Sequence, residues 1–531
     1  PSFQLSDVQY EVRYGTSLLN KNQWHTVTSS SFGMFRVGNL TNGTRYYFQI
    51  RKRSGYNATM SEWSEVKEVV PGSRRYQKND KAPENIEKAI EASQSASMPL
   101  LFYADKNLTL ASVENWQDPK ETVVRSGLAN FSKKIKTPNK KLTIAFLGGS
   151  ITKAHDQYRQ QLINHIQTLN PSADLLGVNA GVSGTGSDLG ACRLQDQVLK
   201  YAPDLIFVEF AVNGGPVAAT EGLVRQVKQM APAADICFIY TISGDQYKQY
   251  ADDGMPANIA ALEKIADHYQ IPSVHMGLRP SHLLREGKLV WKSKDPVAGK
   301  IVFSNDGVHP TKEGGDLYAS AVARGFEKIL NDVSKPSVLI PAALYGNEWE
   351  KATMLDPLEF STVSGNWKKL DPKTYKDLNS FAPWFPYLLH SATANSKLCF
   401  SFKGTGFGFF DIGCPEAGQV DITVDGHPAL LIKPKNDRSW TLANTTDANT
   451  SNTVNRFNDY CFGRYRGQFE LVRLKEGVHK VCYAVSSKTT DKKSFSPKLN
   501  ADDILLHPEK YAQQAFYLGK ILLLGTPLKQ N

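Results

Sequence analysis

From residue 141 to about residue 333 the chain repeats one pattern: a short apolar run without polar alternation, then a longer stretch with apolar positions at helical spacing. The runs at 142–147, 174–178, 204–210, 235–242 and 271–275 read as strands covered on both faces. The stretches at 158–169, 189–201, 220–230 and 259–269 read as helices, as does a last one at 315–333. Strands and helices in alternation predict a parallel sheet between two helix layers. Ligands of such a sheet bind at the carboxyl ends of its strands. Ser150, Gly184 and Asn213 each follow a predicted strand, so all three are expected at one edge.

The flanks follow another rhythm. Up to residue 71, Tyr10-Glu-Val-Arg-Tyr14 and Arg45-Tyr-Tyr-Phe-Gln-Ile-Arg51 alternate like half-buried strands, and Ser61-Glu-Trp-Ser64 precedes a further one. This part resembles the later strands of a fibronectin type III module, with a leucine-then-tyrosine corner at Leu40 and Tyr46. Such modules are spacers, and no chemistry is expected here. Residues 72–137 read as a connector, with a helix at 81–90 and short strands at 100–103 and 108–110. The lysine-rich segment 133–141 reads as a solvated loop. Beyond Pro336, strand-like runs at 398–402, 406–410, 420–424, 468–474 and 479–483 lie between Gly-rich turns, with a hairpin signal at Asp425-Gly426. They predict a β-sandwich or jelly roll over 336–531.

Four blocks carry candidate chemistry. They are Gly148-Gly149-Ser150-Ile151-Thr152, then Asn179 through Gly184 to Asp188, then Val208-Glu-Phe-Ala-Val-Asn213-Gly214, and last Asp306-Gly-Val-His309-Pro310. In this order, the first three each after a predicted strand, they resemble the SGNH (GDSL-type) hydrolases over roughly residues 141–333, within a catalytic domain expected at 138–335. The resemblance implies a flavodoxin-like three-layer α/β fold, here flanked by N-terminal and C-terminal β-sandwich domains. It implies Ser150 as nucleophile, His309 as general base and Asp306 as the group orienting it. It implies an oxyanion hole from the backbone N–H groups of Ser150 and Gly184 and the side-chain amide of Asn213. Two departures stand out: Gly149 replaces the family's usual acid before the serine, and Gly214 replaces the acid after the asparagine, which bears on loop rigidity. Around these blocks, Asp188 and Arg193 are expected to pair, Glu209 to need a polar partner inside its strand, and His155 and Asp156 to sit on a solvated helix start. Cys192 is expected in the core.

Composition narrows the reading. The 531 residues carry a net charge of +10, but the basic residues are scattered, so nucleic acid is not an expected partner. No run of ~18 apolar residues predicts a membrane span. The chain begins at Pro1, as a processed or trimmed product would, so the missing signal peptide is uninformative. Cys399, Cys414, Cys461 and Cys482 admit two disulfides or small buried thiols. Sequons stand at Asn39, Asn42, Asn57, Asn107, Asn130, Asn444 and Asn449. A secreted, periplasmic or cell-surface location is expected. No histidine or cysteine spacing calls for a metal, and no cofactor motif is present.

The surroundings of Asn213 and Asp306 are rich in Gly, Pro, Asn, Ser and Lys rather than long apolar segments. That favours a small acyl group on a polar alcohol. Family members with accessory β-domains are often carbohydrate esterases, so the leading expectation is an O-acetylesterase acting on an acylated carbohydrate. Trp367, Trp384, Phe385, Tyr387 and Tyr465 are candidates for glycan stacking by the C-terminal domain. Two alternatives remain: a lipid, aryl or thioester acyl hydrolase of the same fold, and a non-catalytic glycan-binding or surface protein.

Overall fold

A computed structural model describes residues 8–29, 40–41, 44–54, 60–70, 100–154, 157–244, 246–252, 254–331, 339–382, 384–434, 438–443 and 450–528. The chain divides into two compact units, Pro1–Asn85 and Ile86–Asn531. The expected helix at 81–90 lies outside the described residues, as do His155, Asp156 and the sequons at Asn39, Asn42, Asn57, Asn444 and Asn449.

In the first unit, β1 (Val8–Gly15), β2 (His25–Ser29), β3 (Tyr46–Ser54) and β4 (Lys67–Val69) form an antiparallel sheet in the order β2-β1-β3-β4. The Arg13 guanidinium lies over Trp24 (5.6 Å) and Trp63 (4.2 Å), and Arg51 lies over Trp63 (4.3 Å). Arg51 also pairs with Glu11 at 2.6 Å. These cation–π contacts tie strand faces together in a sheet with little apolar core. The Tyr46 hydroxyl accepts from the Thr41 N–H at 3.1 Å.

In the second unit, the described residues form a seven-stranded sheet from β5 (Leu100–Phe102), β6 (Thr122–Val123), β7 (Lys141–Gly148), β8 (Asp174–Gly181), β9 (Leu205–Glu209), β10 (Asp235–Ile239) and β11 (Ser273–Val274). Its order is β5-β8-β7-β9-β10-β11-β6. The five inner strands are parallel, and β5 and β6 close the edges antiparallel. The connector therefore supplies both edge strands. Residues 108–110 form no strand. The neighbouring backbone is held instead by side-chain amides of helix α1 (Tyr158–Leu169): Gln161 bonds Thr109 O and Ala111 N, and Asn164 bonds both backbone groups of Asp105. The segment expected as a lysine-rich loop begins inside a short helix, Phe131–Ile135. The Asp235 carboxylate accepts the N–H groups of Asn130 and Phe131, and Phe131 and Ile135 are buried.

Because β7 lies between β8 and β9, the chain leaves it in opposite directions, and the loops after these strands part to leave a crevice. Helix α1 packs with the helix Lys312–Leu330, and Ser187–Gln197 packs with Val217–Met230. A separate parallel pair, β12 (Leu289–Lys292) and β13 (Ile301–Ser304), leads into the Asp306–His309 loop.

The C-terminal region is a large antiparallel sheet built on the long strands Lys397–Gly413, Arg466–Val485 and Phe516–Leu528. The runs at 398–402 and 406–410 are one strand. A register shift between Gly404 and Gly406 absorbs the break that the glycines signal, as a bulge does, without a chain reversal. The runs at 468–474 and 479–483 are likewise one strand. Asp425-Gly426 does join a hairpin, from Gln419–Val424 to His427–Pro428. Alternation divides these strands between two cores. Phe409, with Phe400, Phe402, Ile422 and Tyr483, fills the core within the sheet. Phe410, with Trp349, Trp384, Phe385 and Leu522, joins the core of the parallel-sheet region. Each such side chain contributes ~1.5–3 kcal/mol by burial, so packing continues across the boundary expected at 335/336.

Of the four late cysteines, Cys399 and Cys482 stand opposite each other in register and form a disulfide. Cys414 and Cys461 are buried thiols, as are Cys192 and Cys237.

Candidate active site

Strand β7 ends at Gly148, and a single helical turn, Ser150–Lys153, follows Gly149. Beneath this turn lies a floor of buried polar groups. Glu209 ends β9 beside Gly148 and is inaccessible to solvent. Its carboxylate accepts from Thr152 Oγ1 at 2.9 Å and Thr241 Oγ1 at 2.5 Å, which supplies the polar partners its position demands. Burial pushes Glu209 up to about 7, against the pull of these hydroxyls. The Tyr158 hydroxyl bonds Thr152 Oγ1 at 2.8 Å.

Arg193, fully buried, donates to the carbonyls of Gly148 (3.0 Å) and Ala180 (2.5 Å) and to Gln197 Oε1 (3.0 Å). It thus ties the carboxyl ends of β7 and β8 together. The expected Asp188–Arg193 pair does not form. The carbonyls at the ends of β7 and β8 claim the guanidinium, Gly148 O accepting it beside the Val182 N–H. Asp188 instead accepts the Leu189 N–H at 2.9 Å. Burial raises its pKa, while the charge of Arg438 pulls it down.

On the opposite side of Ser150, the Asp306–His309 loop follows β13. Ser150 Oγ lies 2.8 Å from His309 Nε2, and His309 Nδ1 lies 2.6 Å from Asp306 Oδ2. The second oxygen, Oδ1, accepts the N–H groups of Val308 and His309, each at 2.8 Å, and the Ser304 hydroxyl at 3.0 Å. Burial alone would raise the Asp306 carboxyl, but the bonds from His309 and Val308 outweigh it and hold it at about 2. The loop is anchored by Trp291 Nε1 and the Gly244 N–H, both donating to Gly307 O (3.0 and 3.2 Å). Thr311 then caps the following helix, its side chain accepting from the Gly314 N–H.

Gly184 and Asn213 follow β8 and β9, the strands that flank β7. Gly184 takes a left-handed φ of +71°, which a side chain would strain. A Cβ on Gly149 would stand 1.7 Å from Asn213 Oδ1, so a residue without a side chain lets the asparagine close over the turn. The loop after Asn213 is fixed without an acid at 214. Gly214 N–H donates to Phe210 O at 2.7 Å, and Gly214 O accepts the Ser187 N–H at 2.9 Å.

Arg438, from the C-terminal sheet region, donates to the Asn213 carbonyl. The sequence reading missed it: it lies 225 residues from Asn213, and no local pattern marks it. Among the described residues no group of histidine, cysteine or acidic side chains is arranged to hold a metal ion. No helix among them is long and apolar enough to cross a membrane.

No protein-family model matches this chain, and no curated protein matches it. Among solved structures, it resembles a two-domain esterase (CEX) active on acetylated mannans, co-crystallised with mannopentaose, at 19% identity and a TM-score of 0.55. The likeness covers 78% of this chain and 100% of that one. A second structure of a two-domain esterase (CEX) active on acetylated mannans gives 20% identity and a TM-score of 0.55 over 78% and 99% of the two chains. Axe2, an acetylxylan esterase from Geobacillus stearothermophilus, aligns over 36% of this chain and 94% of its own, at 18% identity and a TM-score of 0.27. The first two likenesses concern fold: the chain shares with these esterases a parallel-sheet α/β layer joined to an antiparallel sheet.

Proposed function

We propose that the protein is a serine esterase that removes small acyl groups, acetyl foremost, from a glycan. The observation that carries this reading is the hydrogen-bonded run from Asp306 through His309 to Ser150, with Gly184 and Asn213 after the strands that flank β7. Ser150 Oγ attacks the ester carbonyl as His309 Nε2 takes its proton. Asp306 orients the ring and stabilises the imidazolium. The N–H groups of Ser150 and Gly184 and the Asn213 amide receive the oxyanion. His309 returns the proton to the departing sugar hydroxyl, leaving acyl-Ser150. Water, deprotonated by the same histidine, then releases the carboxylic acid and restores the serine.

Three features favour a glycan ester over a lipid. The His309 and Asp306 side chains are about half exposed. The sequence around Asn213 and Asp306 is rich in Gly, Pro, Asn, Ser and Lys rather than in long apolar runs. The fold, over nearly the whole length of the solved relatives, is that of esterases active on acetylated mannans. Of the aromatics named for stacking, Trp384, Phe385 and Tyr387 are buried, while Trp367 and Tyr465 keep partial exposure. Glycan contact by the C-terminal region therefore rests on the latter two. A secreted, periplasmic or cell-surface location accords with the Cys399–Cys482 disulfide and the exposed sequon at Asn107.

Acetate release across a panel of acetylated mannan, xylan and pectin tests the reading. Failure to release acetate from any of them, together with failure of a fluorophosphonate to label Ser150, would overturn it.

A further inference from the structure

Two arginines of the C-terminal region, Arg438 and Arg466, stand near the cleft, and Arg464 lies behind Arg466 at the same tyrosine ring; Arg464 and Arg466 lack a counter-ion. Arg438 has the Asn213 carbonyl and the neighbouring charge of Asp188. Arg466 brings its Nη2 to 3.8 Å from where a Cβ on Gly184 would stand. Its guanidinium lies 4.9 Å from the centre of the Tyr460 ring, and that of Arg464 lies 5.9 Å from the same ring. Among the described residues, neither side chain donates a hydrogen bond or joins an ion pair. Arg464 is 8% exposed and its buried Nε has no partner. The carboxylate nearby, Asp411, is already bound by Arg456 at 2.8 and 2.9 Å.

Two guanidinium groups sharing one ring repel each other, and a buried guanidinium without a partner is unfavourable. Burial and the charge of Arg466 lower the Arg464 pKa to about 10. An arrangement that destabilises the empty protein in this way is explained by a ligand that supplies the missing negative charge. The forked donors of arginine fit a carboxylate, and the position beside Gly184 is where the sugar bearing the ester, or its neighbour, would lie.

We propose that Arg464 and Arg466 form an anion subsite beside Gly184, which takes the carboxylate of a uronic acid in the glycan that carries the ester. This rests on the esterase reading of the same cleft and narrows its substrate from glycans in general to acidic ones.

The test is calorimetric titration of Ser150→Ala protein, so that binding is read without turnover. The probes are an unacetylated oligogalacturonate, neutral mannopentaose and free acetate. The oligogalacturonate is expected to bind at least about tenfold more tightly than the neutral oligosaccharide, and less tightly as salt rises. Arg464→Gln with Arg466→Gln is expected to weaken that binding about 10- to 100-fold, toward the neutral value. Arg466→Lys, which keeps the charge but not the fork, should fall between. Equal binding of acidic and neutral oligosaccharides overturns the proposal. So does an acidic preference that survives the double substitution, or binding of free acetate with no gain from the oligosaccharide. If the double variant fails to fold, Arg466→Lys in the Ser150→Ala protein decides: an acidic preference and salt dependence unchanged from Ser150→Ala alone overturn the proposal. Acetate release by the unsubstituted protein is measured separately. Its absence would sink the esterase reading, while the titration reports on the arginines alone.

Discussion

The two sides of Ser150 are built differently. The floor beneath it is buried: Glu209, Arg193, Thr152 and Tyr158 are each no more than 1% exposed, and each is locked to a neighbouring strand or helix. The side facing it is open. The Asp306 and His309 side chains are 55% and 52% exposed and are held by bonds within a four-residue loop and its anchors. Both sides carry a carboxyl group, and their pKa values move in opposite directions. Burial dominates at Glu209 and raises it, whereas donated hydrogen bonds prevail over burial at Asp306 and lower it. The floor therefore belongs to folding and holds the turn in place, while the loop belongs to the chemistry. Substitutions on the loop should remove activity with little change in stability, and substitutions in the floor should do the reverse.

The sharpest separation is expected at the meeting point. Ser150→Ala and His309→Ala should each lower kcat by ~10⁴–10⁶, with unfolding free energies within about 0.5 kcal/mol of the parent. Substituted proteins that remain fully active would end the assignment of this cleft. Substituted proteins that unfold would break the division between floor and loop. Asp306→Asn is next, at up to ~10⁴ in kcat. A residual rate should persist, because the donors at Ser150, Gly184 and Asn213 are untouched. Denaturant titration beside steady-state kinetics reads both quantities on each protein.

Much of the parallel-sheet region was legible because its signals are local. The helix expected at 158–169 is Tyr158–Leu169, and the strand at 142–147 gains one residue at each end. The apolar run at 235–242 outlasts its strand, which stops at Ile239. The Tyr240 N–H makes the last bond to β11, at Val274 O, and Thr241 and Ile242 stay buried beyond it, where the Thr241 hydroxyl meets Glu209. Burial and strand pairing thus part company at the carboxyl edge of the sheet, and apolar patterning reports only burial. The residues placed around Ser150 were legible as blocks, since each sits at a strand end. Arg438 and Arg193 were not, because backbone carbonyls that only the fold brings near decide what they bond. In the C-terminal sheet the glycines at 404 and 406 misled for a related reason: a bulge and a turn share their residues, and the partner strand determines which forms.

Gly149 tests the seam between floor and loop, with a smaller expected effect. Gly149→Ala places a methyl group where Asn213 Oδ1 now lies. Either the asparagine or the turn must move. The loss of one oxyanion donor then lowers kcat by ~10²–10³, while His309 and Asp306 keep their mutual geometry. An alanine variant with unchanged kcat would show that the asparagine amide is not required where this structure holds it. Pairing it with Asn213→Ala sharpens the result: if both act through the same amide, the double variant should be little slower than either single one.

The smallest expected effect lies wholly within the floor and concerns stability. The Glu209 carboxyl is raised from its ordinary 4.5 to about 7 by burial. A folded protein that binds a proton more tightly than the unfolded chain is favoured where that proton is present. The Glu209 contribution is therefore complete below pH ~4.5 and declines as pH rises toward 7, by ~3 kcal/mol in all. Asp306 works in the other sense, contributing above its ordinary 3.8 and losing that contribution as pH falls toward 2. The two windows barely overlap, so they separate by pH alone. Glu209→Gln abolishes the first and leaves the second. The difference in unfolding free energy between parent and variant, from urea titrations at pH 4.5, 5.5, 6.5 and 7.5, should shift against the parent by up to ~3 kcal/mol across that range. Other groups titrate alike in both proteins and cancel in the difference. A difference that stays flat with pH would mean that Glu209 remains ionised in the folded protein, so that the hydroxyls of Thr152 and Thr241, rather than burial, set its charge.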